Sequence, residues 1–224
     1  MAVSLVAGCA GPTVAGPVPS PSPAPIVRIM PLGDSITDGL TVPGGYRGPL
    51  WQELTELGAR IDFVGSMDSG PPDLPDHDHE GHSGARIDEI DAKVEAWVRA
   101  VAPDVVLLQA GTNDVLQNLA MPEAPDRLGL LIDHVLAAAP QAIVFVASIT
   151  PLVDPGREEQ VEAFNARLPA VVAARGPRVR FVDMHAGLGV EDLQDGIHPN
   201  TGGYAKMAGV WVGALRPVLQ GGRR

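Results

Sequence analysis

The chain has 224 residues, 45% of them hydrophobic, which is enough for one domain with a sizeable core, and no second block of periodic sequence follows the first. Its 27 acidic against 16 basic side chains give a formal charge of -11, which repels phosphate backbones and anionic lipid surfaces and argues against a nucleic-acid partner. A single cysteine excludes an internal disulfide, and no C-x-x-C pair is present to hold zinc.

Residues 1–25 read differently from the rest. "MAVSLVAGCAGPTVAGPVPSPSPAP" has no charged side chain; a short apolar run gives way to a Pro, Ala, Ser and Gly tract that cannot bury a core. Val6-Ala7-Gly8-Cys9 resembles a bacterial lipobox, with Cys9 placed after small residues and before a linker, as a lipid anchor would be. The alternative is a stray thiol in a tail. The apolar run is shorter than that of a full signal peptide and lacks a positive leader. On the anchor reading the domain, residues 26–224, works outside the membrane as a tethered lipoprotein or a secreted protein. No other stretch approaches the roughly 20 apolar residues of a membrane span.

From Ile26 onward short β-rich runs alternate with helical patterns. Strands are expected at Ile26 to Leu32, Ile61 to Gly65, Asp104 to Ala110, Ala142 to Ile149 and Arg178 to Asp183. Between them Ile87, Ile90, Val94, Trp97, Val98 and Val101 recur at helical spacing, with Asp88, Glu89, Lys93 and Glu95 on the other face. Similar stripes run through residues 127–139, 158–174 and 204–219. This alternation predicts an α/β fold, a three-layer α/β/α domain with a five-stranded parallel sheet. Ligands of such sheets bind beyond the carboxyl ends of the strands, which is where chemistry should be sought.

Four of those places carry unusual sequence. Gly33-Asp34-Ser35 follows the first strand, and a long loop after the second ends in "GHSGARI". "AGTND" follows the third strand, and "DGIHPN" precedes the last helix. Together they offer a hydroxyl, a histidine with an aspartate three positions before it, an asparagine amide and several glycine N–H groups, the inventory for acyl transfer. Each piece has a plainer reading: Ser35 as a helix cap, Thr112 to Asp114 as another cap, Asp195-Gly196 as a turn. Their joint occurrence in this order favours chemistry. Ser83 in "GHSGA" is a rival nucleophile, but position 85 is alanine and the stretch does not end a strand as a nucleophile elbow must.

These blocks, Gly33-Asp34-Ser35, Gly84, Gly111-Thr112-Asn113-Asp114 and Asp195-x-x-His198, resemble in order those of the GDSL or SGNH hydrolase family. The resemblance implies a flavodoxin-like fold, Ser35 as nucleophile, His198 as general base and then acid, and Asp195 orienting the imidazole. It also implies an oxyanion hole made of the Ser35 and Gly84 backbone N–H groups and the Asn113 amide. "IMPLGDSITDG", "GGYR", "DFVGS", "DHEGHSG" and "GTND" look most like acetyl xylan esterases and related carbohydrate deacetylases. The expected activity is thus a serine esterase removing small acyl groups, acetyl above all, from an acylated carbohydrate or other small ester. Alternatives are a lysophospholipase- or thioesterase-like hydrolase of the same mechanism, and a carbohydrate-binding relative without turnover.

The roles also follow from the chemistry. A serine hydroxyl near neutral pH needs an imidazole within hydrogen-bond reach, and that imidazole needs a carboxylate to fix its tautomer. His77, His79 and His82 lie among Asp76, Asp78 and Glu80, but without cysteine or an H-E-x-x-H helix they read as a solvated loop flanking the cleft, and no metal is expected. Arg47, in "GGYR", is read as structural, pairing with a loop carboxylate, with a substrate contact as the alternative. Neither GxGxxG nor a P-loop occurs, so no cofactor is indicated.

Overall fold

The computed structural model describes residues 1, 3 and 25–221; the expected anchor at Cys9 lies outside them. The strands are β1 (Val27–Gly33), β2 (Ile61–Phe63), β3 (Met67–Asp68), β4 (Asp78–Gly81), β5 (Val105–Gln109), β6 (Ile143–Ala147) and β7 (Val179–Val182). The helices are α1 (Ser35–Asp38), α2 (Arg47–Glu56), α3 (Ile87–Val101), α4 (Thr112–Leu116), α5 (Ala124–Ala138), α6 (Pro155–Ala173) and α7 (Thr201–Gly221).

Side-chain alternation in the central strands explains the layers. Met30 and Leu32 of β1, Val106 and Leu108 of β5, and Val144 and Val146 of β6 share one face with buried residues of α3, α5 and α6. Ile29, Val105, Leu107, Phe145 and Ala147 share the other with α2 and α7. Successive strand residues point to opposite faces, so a strand apolar at every position must be covered twice. Each fully buried aliphatic side chain contributes roughly 1.5–3 kcal/mol. On α3 the expected stripe is the buried one, with Ile87, Ile90, Val94 and Val98 inside. Asp154 starts α6 by accepting the Arg157 N–H at 2.9 Å, and Pro155 follows it with its fixed φ.

The sheet is a flavodoxin-like α/β/α arrangement in which β5, β6 and β7 succeed β1 in parallel on one side. The sequence predicts five strands, and five parallel positions are present, but the second is divided. β2 pairs with the first half of β1 (Val27↔Ile61 to Ile29↔Phe63), and β4 takes over the second half (Leu32↔Glu80, Gly33↔Gly81). Side chains end β2: Phe63 N–H donates to Asp76 and Ser66 N–H to Glu80 instead of to a strand. The stretch expected as a solvated loop therefore contains β4, and His79 and Glu80 in it are wholly buried.

Candidate active site

The register places the four sequence blocks together. Gly33 of β1 pairs with Gly81 of β4 on one side and Gln109 of β5 on the other, so these three residues form one row at the carboxyl edge. Ser35, Gly84 and Asn113 follow that row by two, three and four residues. The row marks the point where strand order departs in both directions from β1, the usual ligand crevice of such sheets. Close approach is built in: a Cβ on Gly33 would lie 2.3 Å from the Gln109 carbonyl oxygen and 2.5 Å from Thr37 Oγ1.

Ser35, His198 and Asp195 lie in one hydrogen-bonded line. Ser35 Oγ is 2.8 Å from His198 Nε2, and His198 Nδ1 is 2.8 Å from Asp195 Oδ2. The carboxylate fixes the proton on Nδ1, leaving Nε2 to accept from the serine hydroxyl. Asp195 Oδ1 also accepts the Ile197 and His198 N–H groups at 3.1 and 2.8 Å, so one tight turn sets both residues. Burial works against the Asp195 charge, but these N–H groups and the imidazole outweigh it and hold the carboxyl below its usual range. Val153 braces that turn, its N–H donating to Gly196 O at 3.0 Å.

Asn113 Nδ2 donates to Ala85 O at 2.9 Å, which spends one amide proton and directs the other. The Ser35 and Gly84 N–H groups donate to no protein acceptor among the described residues. Gly84 has φ +82, a region side chains disfavour, and nothing within 4 Å of where its Cβ would stand, so the backbone is open to an incoming carbonyl. Its neighbour Ser83 is tied back: Ser83 Oγ donates to Asp38 Oδ2 at 2.7 Å, bridging the glycine loop to α1, which carries Ser35. That bond employs the rival nucleophile as a brace.

A buried polar network supports this floor. Arg47, wholly buried, has a structural role, but its partners are the carbonyl oxygens of Thr37, Asp38, Ser69 and His77 at 2.8 to 3.3 Å rather than a loop carboxylate. His79 Nδ1 accepts the Gly81 N–H at 3.0 Å, so Nε2–H donates to Ser69 Oγ at 2.7 Å, and Ser69 passes its own proton to Asp38 at 3.0 Å. Burial, with the Arg47 charge beside it, pushes His79 down to about 3. Asp34, under the nucleophile, is pushed up to about 6 by burial, against the Ile36 N–H that caps α1 on its Oδ1 at 2.9 Å and the field of His198. Among the described residues its Oδ2 makes no hydrogen bond of ordinary geometry, although the Thr112 side chain nearby also pulls the carboxyl down. Asp114 is structural: it joins the Ile87 N–H at 3.0 Å and Arg127 at 2.8 Å.

The three loop histidines face separate partners. His77 meets Asp68 and the Pro71 carbonyl, His79 meets Ser69, and His82 meets Glu80. Among the described residues no group of three His, Cys, Asp or Glu side chains is placed to hold a metal ion. A groove of about 590 Å3 between α2 and the start of α7 contains none of Ser35, Asn113, Asp195 or His198. Asp38 and Glu80 were not legible as supporting residues, because their partners lie 45 and 14 residues away for the Ser83 and Ser66 bonds.

Residues 32–206 match a model described as the GDSL-like lipase/acylhydrolase family. A multidomain esterase of Ruminococcus flavefaciens is 32% identical over 228 residues, which cover 89% of this chain and 30% of that protein. The chain thus spans less than a third of that relative's length. A family 3 carbohydrate esterase of Clostridium thermocellum is 36% identical with a TM-score of 0.80, covering 88% of this chain and 98% of that one. A mutant acetyl esterase crystallised with an acetate ion is 30% identical with a TM-score of 0.76, covering 87% and 98%.

Proposed function

The chain belongs to the GDSL-like lipase/acylhydrolase family, and on that premise we propose that it is a serine esterase removing small acyl groups, chiefly acetyl, from carbohydrates. The observation that carries this reading is the continuous line from Ser35 Oγ through the His198 ring to Asp195, with 2.8 Å at each step, beside the Asn113 amide and the open Gly84 N–H. Likeness to a family 3 carbohydrate esterase and to an acetyl esterase over nearly their whole chains supports the substrate class.

In the proposed reaction His198 Nε2 takes the Ser35 proton as Oγ attacks the ester carbonyl. The charge that develops on the carbonyl oxygen is held by the Ser35 and Gly84 N–H groups and the Asn113 amide. The imidazolium then gives its proton to the departing sugar oxygen, leaving an acetyl ester on Ser35. Water, deprotonated by the same imidazole, attacks that ester; the tetrahedral species collapses to acetate, and Ser35 Oγ recovers its proton from His198. Asp195 holds the tautomer and offsets the imidazolium charge throughout.

The test is hydrolysis of p-nitrophenyl acetate, acetylated xylan, acetylated chitooligosaccharides and long-chain esters by the purified protein. Preference for the acetylated saccharides supports the reading. Preference for long-chain esters points to a lipid- or thioester-directed hydrolase, and no turnover points to a binding relative.

For residues 1–25 we propose export and lipidation at Cys9, which would place the esterase outside the membrane. No helix among the described residues is long and apolar enough to cross one. Fractionation of the native host, with Cys9→Ser beside the wild type, tests this. Wild-type protein in the membrane fraction and its loss in the variant are expected, and an uncleaved cytosolic protein overturns it.

A further inference from the structure

A groove of about 560 Å3 contains Gly84 and follows one face of α3, lined by Glu89, Lys93 and Trp97 of that helix and by His82 and Ser83 of the loop before it. Glu89 and Trp97 are eight residues apart, so the helical wall is about 12 Å long. A substrate whose carbonyl reached the Gly84 N–H could lay its remaining part along this wall.

The wall is built around His82, whose ring is fixed in two ways. Its Nε2 lies 2.6 Å from Oε1 of Glu80, and its plane stacks on Trp97 at 4.3 Å between centroids and 11° between planes. Glu80 is a wholly buried carboxylate that also accepts from the Ser66 N–H at 2.8 Å and the Ser66 hydroxyl at 2.7 Å. A buried carboxylate is costly unless fully partnered, and the part of this arrangement that reaches the groove is the orientation of His82. With Nε2–H given to Glu80, Nδ1 has no protein partner among the described residues and is an acceptor in the neutral ring. Beside it the Lys93 ammonium stands 6.0 Å from the Trp97 centroid as a donor, and the Glu89 carboxylate, which already accepts the Arg86 N–H at 3.0 Å and lies 3.2 Å from the Arg86 guanidinium, keeps lone pairs for a further donor.

These groups discriminate between ligand classes. A long acyl chain laid here would strip water from His82, Lys93 and Glu89 and give nothing back. An anionic group would meet Glu89 as well as Lys93. A neutral sugar carries hydroxyls at its rim, which both donate and accept, and C–H faces that suit the indole. We propose that this groove is the subsite for the saccharide portion of the ester, holding its hydroxyls on His82 Nδ1, Lys93 and Glu89 and one ring face against Trp97. The inference rests on the carbohydrate-ester reading above and deepens it by saying where the sugar lies.

The experiment compares kcat/KM on acetylated xylotriose with kcat/KM on p-nitrophenyl acetate for the wild type, Trp97→Ala and Lys93→Gln. Xylotriose is also titrated as an inhibitor of p-nitrophenyl acetate hydrolysis. The ratio should fall about 10-fold for Trp97→Ala and about 3-fold for Lys93→Gln, and inhibition should weaken in step. Because Trp97→Ala also removes buried surface from α3, the exposed Lys93→Gln variant keeps the test independent of folding. If the wild type cleaves acetylated xylotriose but both ratios and the inhibition stay at wild-type values, the sugar binds elsewhere; the subsite is overturned and the carbohydrate reading stands. If the wild type does not cleave it or bind xylotriose, the carbohydrate reading falls and the subsite falls with it.

Discussion

Replacing Asp34 by asparagine should remove a loss of stability that the wild type suffers as pH rises from about 4 to about 7. Asp34 is 1% exposed and its carboxyl is raised from 3.8 to about 6 by burial. In the unfolded chain it loses its proton near 3.8, whereas the native state holds it to about 6. The native state therefore binds more protons between those values, and the contribution of Asp34 to stability falls as pH rises through that window. A shift of about two units at 1.36 kcal/mol per unit puts the cost of the ionised native carboxylate at roughly 3 kcal/mol, complete above about pH 7. Asparagine keeps an oxygen for the Ile36 N–H and carries no charge. Urea unfolding of both proteins at pH 4 and pH 7.5 measures the effect, and the difference between them cancels groups that titrate alike in each. His79 is one such group; its lowered value makes its own contribution fall in the opposite sense, as pH drops from 6.5 toward about 3. Because pH 4 already lies just above 3.8, Asp34→Asn should gain about 2.5 kcal/mol on the wild type between the two pH values. A stability difference independent of pH would refute the buried-charge reasoning.

Asn113→Ala should lower kcat about 100-fold on p-nitrophenyl acetate with little change in KM, because its amide is assigned to the transition state; a rise in KM alone would remove it from the oxyanion hole. Ser83→Ala loses the bond to Asp38 that steadies the Gly84 loop, so kcat should fall about 10-fold while Ser83→Thr retains most of it. Complete loss of turnover in Ser83→Ala, with full activity in Ser35→Ala, would exchange their roles. Arg47→Met strands four carbonyl oxygens, that of Thr37 buried and those of Asp38, Ser69 and His77 partly so, and should cost about 3 kcal/mol in denaturant unfolding, with wild-type stability as the contrary result.

The layers and the crevice were legible because they depend on short periods and on order along the chain. Val105 to Gln109 is apolar at nearly every position and had to be a doubly covered strand; Ile87, Ile90, Val94 and Val98 had to face it. The residues after each strand then carried the chemistry. The supports beneath the crevice were not legible. "DHDHEG" reads as a solvated loop by composition, and the distant Ser66 and Ser69 complete the partners that make burial of Glu80 and His79 tolerable. Likewise the division of the second strand depends on Asp76 reaching back to Phe63, a contact no local pattern encodes. Ser83 reads as a rival nucleophile because "GHSGA" resembles G-x-S-x-G, while the partner that ties it back, Asp38, lies 45 residues earlier.

The nucleophile is tested most directly by turnover of p-nitrophenyl acetate by Ser35→Ala, measured beside its unfolding free energy. Ser35 is the first residue of α1, and Asp34 rather than its own hydroxyl caps that helix, so the fold should lose no more than about 1 kcal/mol. With Oγ gone, His198 has no hydroxyl to deprotonate, and kcat should drop by at least about four orders of magnitude. A folded Ser35→Ala protein that keeps turnover within tenfold of the wild type would contradict the assignment of Ser35 and, with it, the acyl-enzyme route.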